Sequence, residues 1–336
     1  MKIVADSKIP YLKGLLELVA QEVLYVPGGE INNEVLRDAQ VLLTRTRTRC
    51  NRNLLDGTDV EFIGTATIGT DHINLDYCRD NGITVVNAPG CNAPAVAQWV
   101  HASILQWIKA RKIEGPLTIG VVGVGHVGSI VARWAQQLGY RVLLNDPPLA
   151  EKNNYFRHLS SPFFSLDYLQ RECDIITFHT PLTRDGKYPT WHLCDEKFLN
   201  GLQRCCLIMN AARGAVCDNE ALLHWHGDVA LDCWEGEPNI NQDLLDKAFI
   251  ATPHIAGYSL QGKQRGTAMI IEALNRHYDW NINSIQASTP LCGAKIVTQQ
   301  TILDSYNPLV DTARLKSSSA AFENQRNNYS LRNELP

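Results

Sequence analysis

One arginine, two glutamates and one histidine stand just after three apolar, strand-like runs in the second half of this 336-residue chain. Cys206–Asn210 runs into Ala211-Ala212-Arg213-Gly214, and Asp228–Asp232 runs into Cys233-Trp234-Glu235-Gly236-Glu237-Pro238. Phe249–Thr252 runs into Pro253-His254-Ile255-Ala256-Gly257-Tyr258. In an open parallel sheet ligands collect beyond the C-terminal strand ends, so these groups are expected to share one edge. Their types suit removal of a hydride from a 2-hydroxy acid. A base takes the hydroxyl proton, a cation holds the carboxylate and polarises the forming carbonyl, and a carboxylate orients the base. His254 is the candidate base and Arg213 the candidate cation. Glu235 and Glu237 compete for the third role, and spacing does not separate them. Each residue has a plainer reading: Arg213 capping loop carbonyls, a solvated turn acid before Pro238, a core histidine at 254. Their recurrence at successive strand ends favours chemistry.

A hydride needs an acceptor, and IGVVGVGHVG at 119–128 has the form of a dinucleotide grip. An apolar strand enters Gly123-x-Gly125-x-x-Gly128, a helix-like stretch follows over Ser129–Leu138, and a second strand, Arg141–Asn145, ends on Asp146. Gly123 permits the tight turn, Gly125 lets the backbone approach a pyrophosphate, and Gly128 lets helix and strand pack closely. With His126 and Val127 they open a helix whose N-terminal N–H groups attract phosphate. Asp146 suits the ribose hydroxyls and repels a 2′-phosphate, so NAD is expected rather than NADP.

The positioning elements fall into groups. Strands are expected at Lys2–Ala5, Val41–Thr46, Phe62–Thr67 and Thr84–Asn87, with a helix around Leu12–Glu22: a small α/β unit. Residues 94–112 have the spacing of a long, mostly buried helix. From 117 to 252 six strands alternate with short helical pieces, the pattern of a doubly wound parallel sheet. Residues 260–280 look helical and return to the first unit. From about 281 the pattern weakens, and 316–336 is polar enough to be expected as a frayed tail. The expected division is 1–93 with 259–280, then 94–258, then 281–336.

Composition excludes several classes. Apolar residues make up 45% and charged residues 20%, as in an ordinary globular protein. A net charge of −4 argues against broad nucleic-acid binding. MKIVADSKIP enters a strand directly, with no signal segment expected, and no run reaches about 18 apolar residues, so no membrane span is expected. The ten cysteines include no C-x-x-C pair, which fits reduced thiols in a cytoplasmic protein. No metal is expected. His224-x-His226 lies in an expected helix where i and i+2 point apart, and Cys205–Cys206 alternates faces. TRTRTRC offers a cation cluster. If Val41–Arg49 continues as a strand, Arg45, Arg47 and Arg49 share one side and Thr44, Thr46 and Thr48 the other, supplying cations and hydroxyls for a phosphate. A solvated basic edge is the alternative.

NAARGAVCDNEAL, LDCWEGEP and TPHIAGYS, following GVVGVGHVG, resemble the D-isomer-specific 2-hydroxyacid dehydrogenase family. GTATIGTDHINLD, APGCNAPAVAQWV, TFHTPLTRDGKYPTWHL and HIAGYSLQGKQRGT narrow the resemblance to members acting on a phosphorylated four-carbon acid. The resemblance implies a Rossmann NAD domain, a smaller discontinuous flavodoxin-like substrate domain and a short C-terminal dimerisation segment, hence a homodimer. It implies Arg213 as carboxylate anchor, His254 as acid/base, and Glu237 rather than Glu235 as its partner. Cofactor contacts are implied at Asp146, Thr177, Ala211, Ala212, Arg213, Asp232 and Gly257, and substrate contacts at Thr46, Thr67 and Tyr258, beside the phosphate candidate Arg45. A sibling acting on glycerate, 3-phosphoglycerate or D-lactate, and a non-catalytic NAD-sensing scaffold resembling corepressors of this fold, stand as alternatives.

Overall fold

The computed structural model describes residues 1–152, 162–283 and 294–335. The chain divides into two compact units, Met1–Asn92 with Ser259–Leu291, and Ala93–Tyr258 with Cys292–Pro336.

The first unit is built on five parallel strands: β1 (Lys2–Asp6), β2 (Glu22–Val26), β3 (Val41–Thr44), β4 (Phe62–Thr65) and β5 (Thr84–Val86). Their order is β2-β1-β3-β4-β5. The helix Leu260–Tyr278 lays Ile270, Ile271 and Leu274 against Ile3, Leu43 and Phe62 of this sheet. Gly64 permits that approach, since a Cβ there would lie 2.8 Å from Ile270 and 2.9 Å from Leu43. Two expectations are corrected here. Leu12–Glu22 forms only a short 3₁₀ turn at Leu16–Leu18, interrupted upstream by Gly14 at φ 86°, and the β-branched and aromatic run EVLYV becomes edge strand β2. The strand from Val41 stops at Thr44, short of the expected Thr46, so the conditional continuation to Arg49 does not occur either.

The second unit carries β6 (Thr118–Val122), β7 (Arg141–Asn145), β8 (Ile175–Phe178), β9 (Leu207–Asn210), β10 (Asp228–Leu231) and β11 (Ile250–Ala251). All pair in parallel in the order β11-β10-β9-β8-β6-β7, so the winding reverses between β6 and β8. An isolated parallel bridge from Leu144 to Phe163 extends the β7 edge. The helix Ala93–Arg111 is buried on nearly all sides, with Trp99, His101 and Trp107 inside, and the helix His126–Gln137 packs with it in one core.

The C-terminal segment departs most from expectation. Residues 294–335 pack with the second unit, forming helices at Gln299–Ser305, Pro308–Ser317 and Phe322–Asn327. Phe322 is 1% and Leu335 6% exposed, so the tail from 316 is not frayed. Its polar groups bond to the fold, as when Lys316 Nζ donates to Ala248 O at 2.7 Å, and composition cannot register such long-range pairing. The nine described cysteines are free thiols, eight of them buried; Cys292 lies outside the described residues. Among the described residues no helix is long and apolar enough to cross a membrane.

Candidate active site

Strands β9, β10 and β11 lie side by side, with Leu231 in register with both Asn210 and Ala251. The loops after them therefore emerge along one edge and carry Arg213, Glu237 and His254. Asn210 is buried and staples the first loop. Its Nδ2 donates to Arg213 O at 2.8 Å and Gly214 O at 3.3 Å, while its Oδ1 accepts from Ala212 N at 3.0 Å. A Cβ on Gly214 would fall 2.1 Å from the Trp234 backbone, so only glycine lets this turn close on the next loop. Arg213 Nη1 also donates to Ala212 O at 2.8 Å, which gives part of the carbonyl-capping reading its due.

Asp232 organises the third loop. Its buried carboxylate accepts from Thr252 Oγ1 at 2.5 Å, Ile255 N at 2.8 Å and Ala256 N at 2.9 Å, and its carbonyl accepts from His254 N at 2.8 Å. Burial pushes the Asp232 carboxyl up, against the His254 charge and these hydrogen bonds. This side chain, expected as a cofactor contact, holds the histidine loop. Asp232→Ala strands two buried N–H groups, and an unsatisfied buried group costs about 1–3 kcal/mol, so a loss of about 3 kcal/mol is expected in urea unfolding. A variant matching the parent midpoint would remove this role.

His254 occupies the left-handed region at φ 56°, a strained backbone that persists where the surroundings over-determine it. Its Nδ1 lies 2.8 Å from Glu237 Oε2, and the other Glu237 oxygen accepts from Trp234 N at 2.8 Å. Burial pushes the Glu237 carboxyl up, but the His254 charge and hydrogen bond, the Trp234 N–H and the Arg326 charge outweigh it and hold it below its ordinary value. Glu235 goes elsewhere: Oε1 meets His192 Nε2 at 2.8 Å and Oε2 accepts from Asn219 N at 3.0 Å. Of the two glutamates, Glu237 is the one that meets the His254 imidazole.

Among the described residues two groups suit a metal by spacing, Cys233–Glu237–His254 and His192–Asp218–Glu235, each with ligand atoms within 4.8 Å. In both, the histidine is already hydrogen-bonded to a carboxylate. His224 pairs with Glu220 along its helix at 3.0 Å, as a solvated helix face does.

The glycine loop fits a dinucleotide. Gly123 turns at φ 84°, and a Cβ there would meet His179 backbone at 2.8 Å. Exposed Gly125 caps the helix without a side-chain cap and has open space where a Cβ would be, leaving the helix N–H groups for pyrophosphate. A Cβ on Gly128 would fall 1.9 Å from Gly123 O. Gly128→Ala therefore cannot keep this turn, and at least about a tenfold loss of NADH affinity is expected by fluorescence titration, since the helix must move off the strand. Asp146 is partly exposed, accepting from Val124 N at 2.8 Å and Leu149 N at 3.1 Å. The Thr177 side chain, expected at the cofactor, is buried within β8 and bonded to His179 Nε2 at 2.9 Å. His179 and Thr180 also stand at the strand end, against Gly123; their place directly after an apolar strand was the signal available for finding them.

In the first unit the cation cluster is rearranged. Arg45 and its neighbours form a turn, with Thr48 N bonding to Arg45 O and buried Thr48 Oγ1 donating to Gly28 O at 2.8 Å. Arg45 Nε and Nη2 grip buried Asp6 at 2.9 and 3.3 Å, so alternation of the three arginines along a strand does not occur. Thr46 is exposed on this turn, while Thr67 Oγ1 bonds Thr65 Oγ1 at 2.7 Å and Gly69 O at 3.1 Å. In the second unit, Tyr258 Oη accepts from Arg326 Nε at 3.3 Å, a residue of the supposed frayed tail that the sequence reading missed.

Residues 92–256 match the family model for the NAD-binding domain of D-isomer-specific 2-hydroxyacid dehydrogenases. Erythronate-4-phosphate dehydrogenase of Bacteroides thetaiotaomicron is 46% identical over 99% of this chain and 97% of its own. The same-named protein of Shigella flexneri is 44% identical over 82% of this chain and 73% of its own. The TT0316 protein of Thermus thermophilus superposes with a TM-score of 0.68 at 25% identity, covering 84% of this chain and 99% of that one. Strand order, glycine loop and near full-length identity agree: the chain belongs to the D-isomer-specific 2-hydroxyacid dehydrogenase family.

Proposed function

We propose that the chain oxidises 4-phospho-D-erythronate at C2, giving 3-hydroxy-2-oxo-4-phosphooxybutanoate, as a step towards pyridoxal phosphate. The observation that carries this reading is the 2.8 Å pair between His254 Nδ1 and Glu237 Oε2. With Nδ1 held as donor to the carboxylate, Nε2 is the basic nitrogen, and among the described residues it has no hydrogen-bond partner. Nε2 takes the C2 hydroxyl proton, and Glu237 stabilises the imidazolium so formed. Arg213 clamps the carboxylate by charge-assisted hydrogen bonds and draws electron density from C2. NAD, when bound, accepts the hydride. Gly123, Gly125, His126, Val127 and Gly128 would hold its pyrophosphate, Asp146 its ribose, and the Ala211–Arg213 turn and Gly257 its nicotinamide end.

The first unit is proposed as the substrate domain. Thr46 and Thr67 would supply hydroxyls to the phosphorylated acid, with Arg45, fixed by Asp6, as the nearby cation; Tyr258 of the second unit would be a further contact. A cytoplasmic homodimer is part of the reading. Ile296, Val310 and Leu331 are exposed apolar residues of the C-terminal segment, and light scattering should give twice the monomer mass. The decisive test is a panel with NAD: 4-phospho-D-erythronate, 3-phospho-D-glycerate, D-glycerate and D-lactate. A kcat/KM at least about 100-fold higher for the first is expected, because D-glycerate and D-lactate lack the phosphate and 3-phospho-D-glycerate lacks one hydroxyl-bearing carbon, each leaving groups of a fitted site unpaired. Equal rates across the panel would refute the substrate assignment while leaving the dehydrogenase chemistry standing.

A further inference from the structure

The loop that carries His254 is held by the far end of the chain. Ile255 and Ala256 are buried, and within the loop Tyr258 N bonds Ile255 O at 2.8 Å. The guanidinium of Arg332 serves the carbonyls of this loop. Nη1 donates to Ile255 O at 3.1 Å and Tyr258 O at 3.2 Å, and Nη2 donates to Ala256 O. On its other side Nη2 reaches Ala95 O at 3.0 Å and Nε reaches Gln98 Oε1 at 3.2 Å, both on the long buried helix. The guanidinium carbon lies 4.4 Å from the Tyr306 ring centroid. Tyr306 and Tyr329 both donate to Asp311, and Arg332 Nη1 also reaches Tyr329 Oη at 3.3 Å, so the cation is seated in a closed network. A rigid fork of five donors can bind three loop carbonyls and a helix at once; an ammonium on a flexible stem cannot.

We propose that Arg332 is a positioning residue for the dehydrogenase reaction: by tying the carbonyls of Ile255, Ala256 and Tyr258 to the helix Ala93–Arg111, it keeps the strained His254 backbone in place. The inference rests on His254 as the acid/base group. Asp232 bonds the N–H groups of residues 254–256 through its carbonyl and carboxylate, and Arg332 bonds the carbonyls, so the loop is gripped on both kinds of backbone group. Arg326 adds a bond to the Tyr258 hydroxyl from the same C-terminal segment. A segment of polar composition thereby completes the active site of its own chain.

Arg332→Lys keeps the charge and loses the fork. It is expected to remain folded by circular dichroism and to lose about 10- to 100-fold in kcat, with KM for NAD and 4-phospho-D-erythronate changed less than about threefold. The deuterium isotope effect on kcat with substrate labelled at C2 should rise, because a misplaced base slows the chemical step and leaves cofactor binding alone. Gln98→Leu, which removes the acceptor of Arg332 Nε together with the bonds from Gln98 Nε2 to Ser305 Oγ and Asn333 O, should move kcat and the isotope effect in the same direction by about threefold. A folded lysine variant within about twofold of the parent kcat, with an unchanged isotope effect, overturns the proposal. So does unfolding of both variants, which would make Arg332 a support of the fold alone. His254→Ala is measured alongside: if it stays active the acid/base reading itself fails, whereas an inactive alanine variant beside a fully active lysine variant refutes only the role of Arg332.

Discussion

Replacing His254 with alanine is expected to lower kcat by about 10³- to 10⁴-fold, the upper part of the range for a lost general base, with NADH affinity within about threefold of the parent. The loss should be that large because no neighbour can substitute. Glu235, the other carboxylate of the loop that carries Glu237, is engaged by His192 and Asn219, and Cys233 is buried with its thiol pushed well above the ordinary range, chiefly by burial. The damage should stay local, since the loop is held through its backbone by Asp232 and Arg332 rather than through the imidazole. Steady-state kinetics and a fluorescence titration on the same preparation provide the check. A variant within about tenfold of the parent would remove His254 from the chemistry.

Glu237→Gln is expected to cost about 10²- to 10³-fold in kcat, more than its near-identical shape suggests. Trp234 N needs an acceptor at 2.8 Å, so the amide must turn its oxygen there and its NH₂ towards His254. Nδ1 then has to accept, the ring proton moves to Nε2, and the nitrogen facing the substrate can no longer take a proton. Stability carries its own signature. The Glu237 carboxyl is depressed, net, because the His254 charge and its hydrogen bonds outweigh the upward push of burial. A depressed carboxylate contributes stability that is fully present above its unfolded value and lost as pH falls through the folded value. Melting temperatures of parent and variant should therefore differ at neutral pH and converge on acidification below the ordinary carboxylate range. Curves that stay parallel into strong acid would show that the carboxylate is not held by these partners.

Much of the candidate site was legible because its signals are local. The glycine spacing at 123–128 specifies a turn and a close approach within six residues, and the structure supplies both, at φ 84° and with no room for a Cβ on Gly128. Near-continuous apolar runs mark buried parallel strands, and polar residues directly after them mark the ligand edge. Arg213, Glu237 and His254 were therefore readable from the sequence as residues at one edge. For Thr177 and Asp232 strand position marks the edge, but the partners of their side chains, His179 for one and the 252–256 loop for the other, are seen only in the structure.

What the amino-acid order determined by itself was the repeating strand–helix pattern, the nucleotide-binding turn and the kinds of side chain delivered to the sheet edge. These follow from periodicities of about two and 3.6 residues and from the steric freedom of glycine. Tertiary structure alone decided which glutamate meets the imidazole, since Glu235 and Glu237 differ only in the partners that His192, Asn219 and Trp234 offer them. It also decided that Arg45 would be held by Asp6 from another strand, and that a polar tail would fold back to hold the His254 loop. Each of those outcomes is a pairing of groups distant along the chain. No local pattern encodes such a pairing, because its energy exists only once both partners have been brought into the same few ångströms.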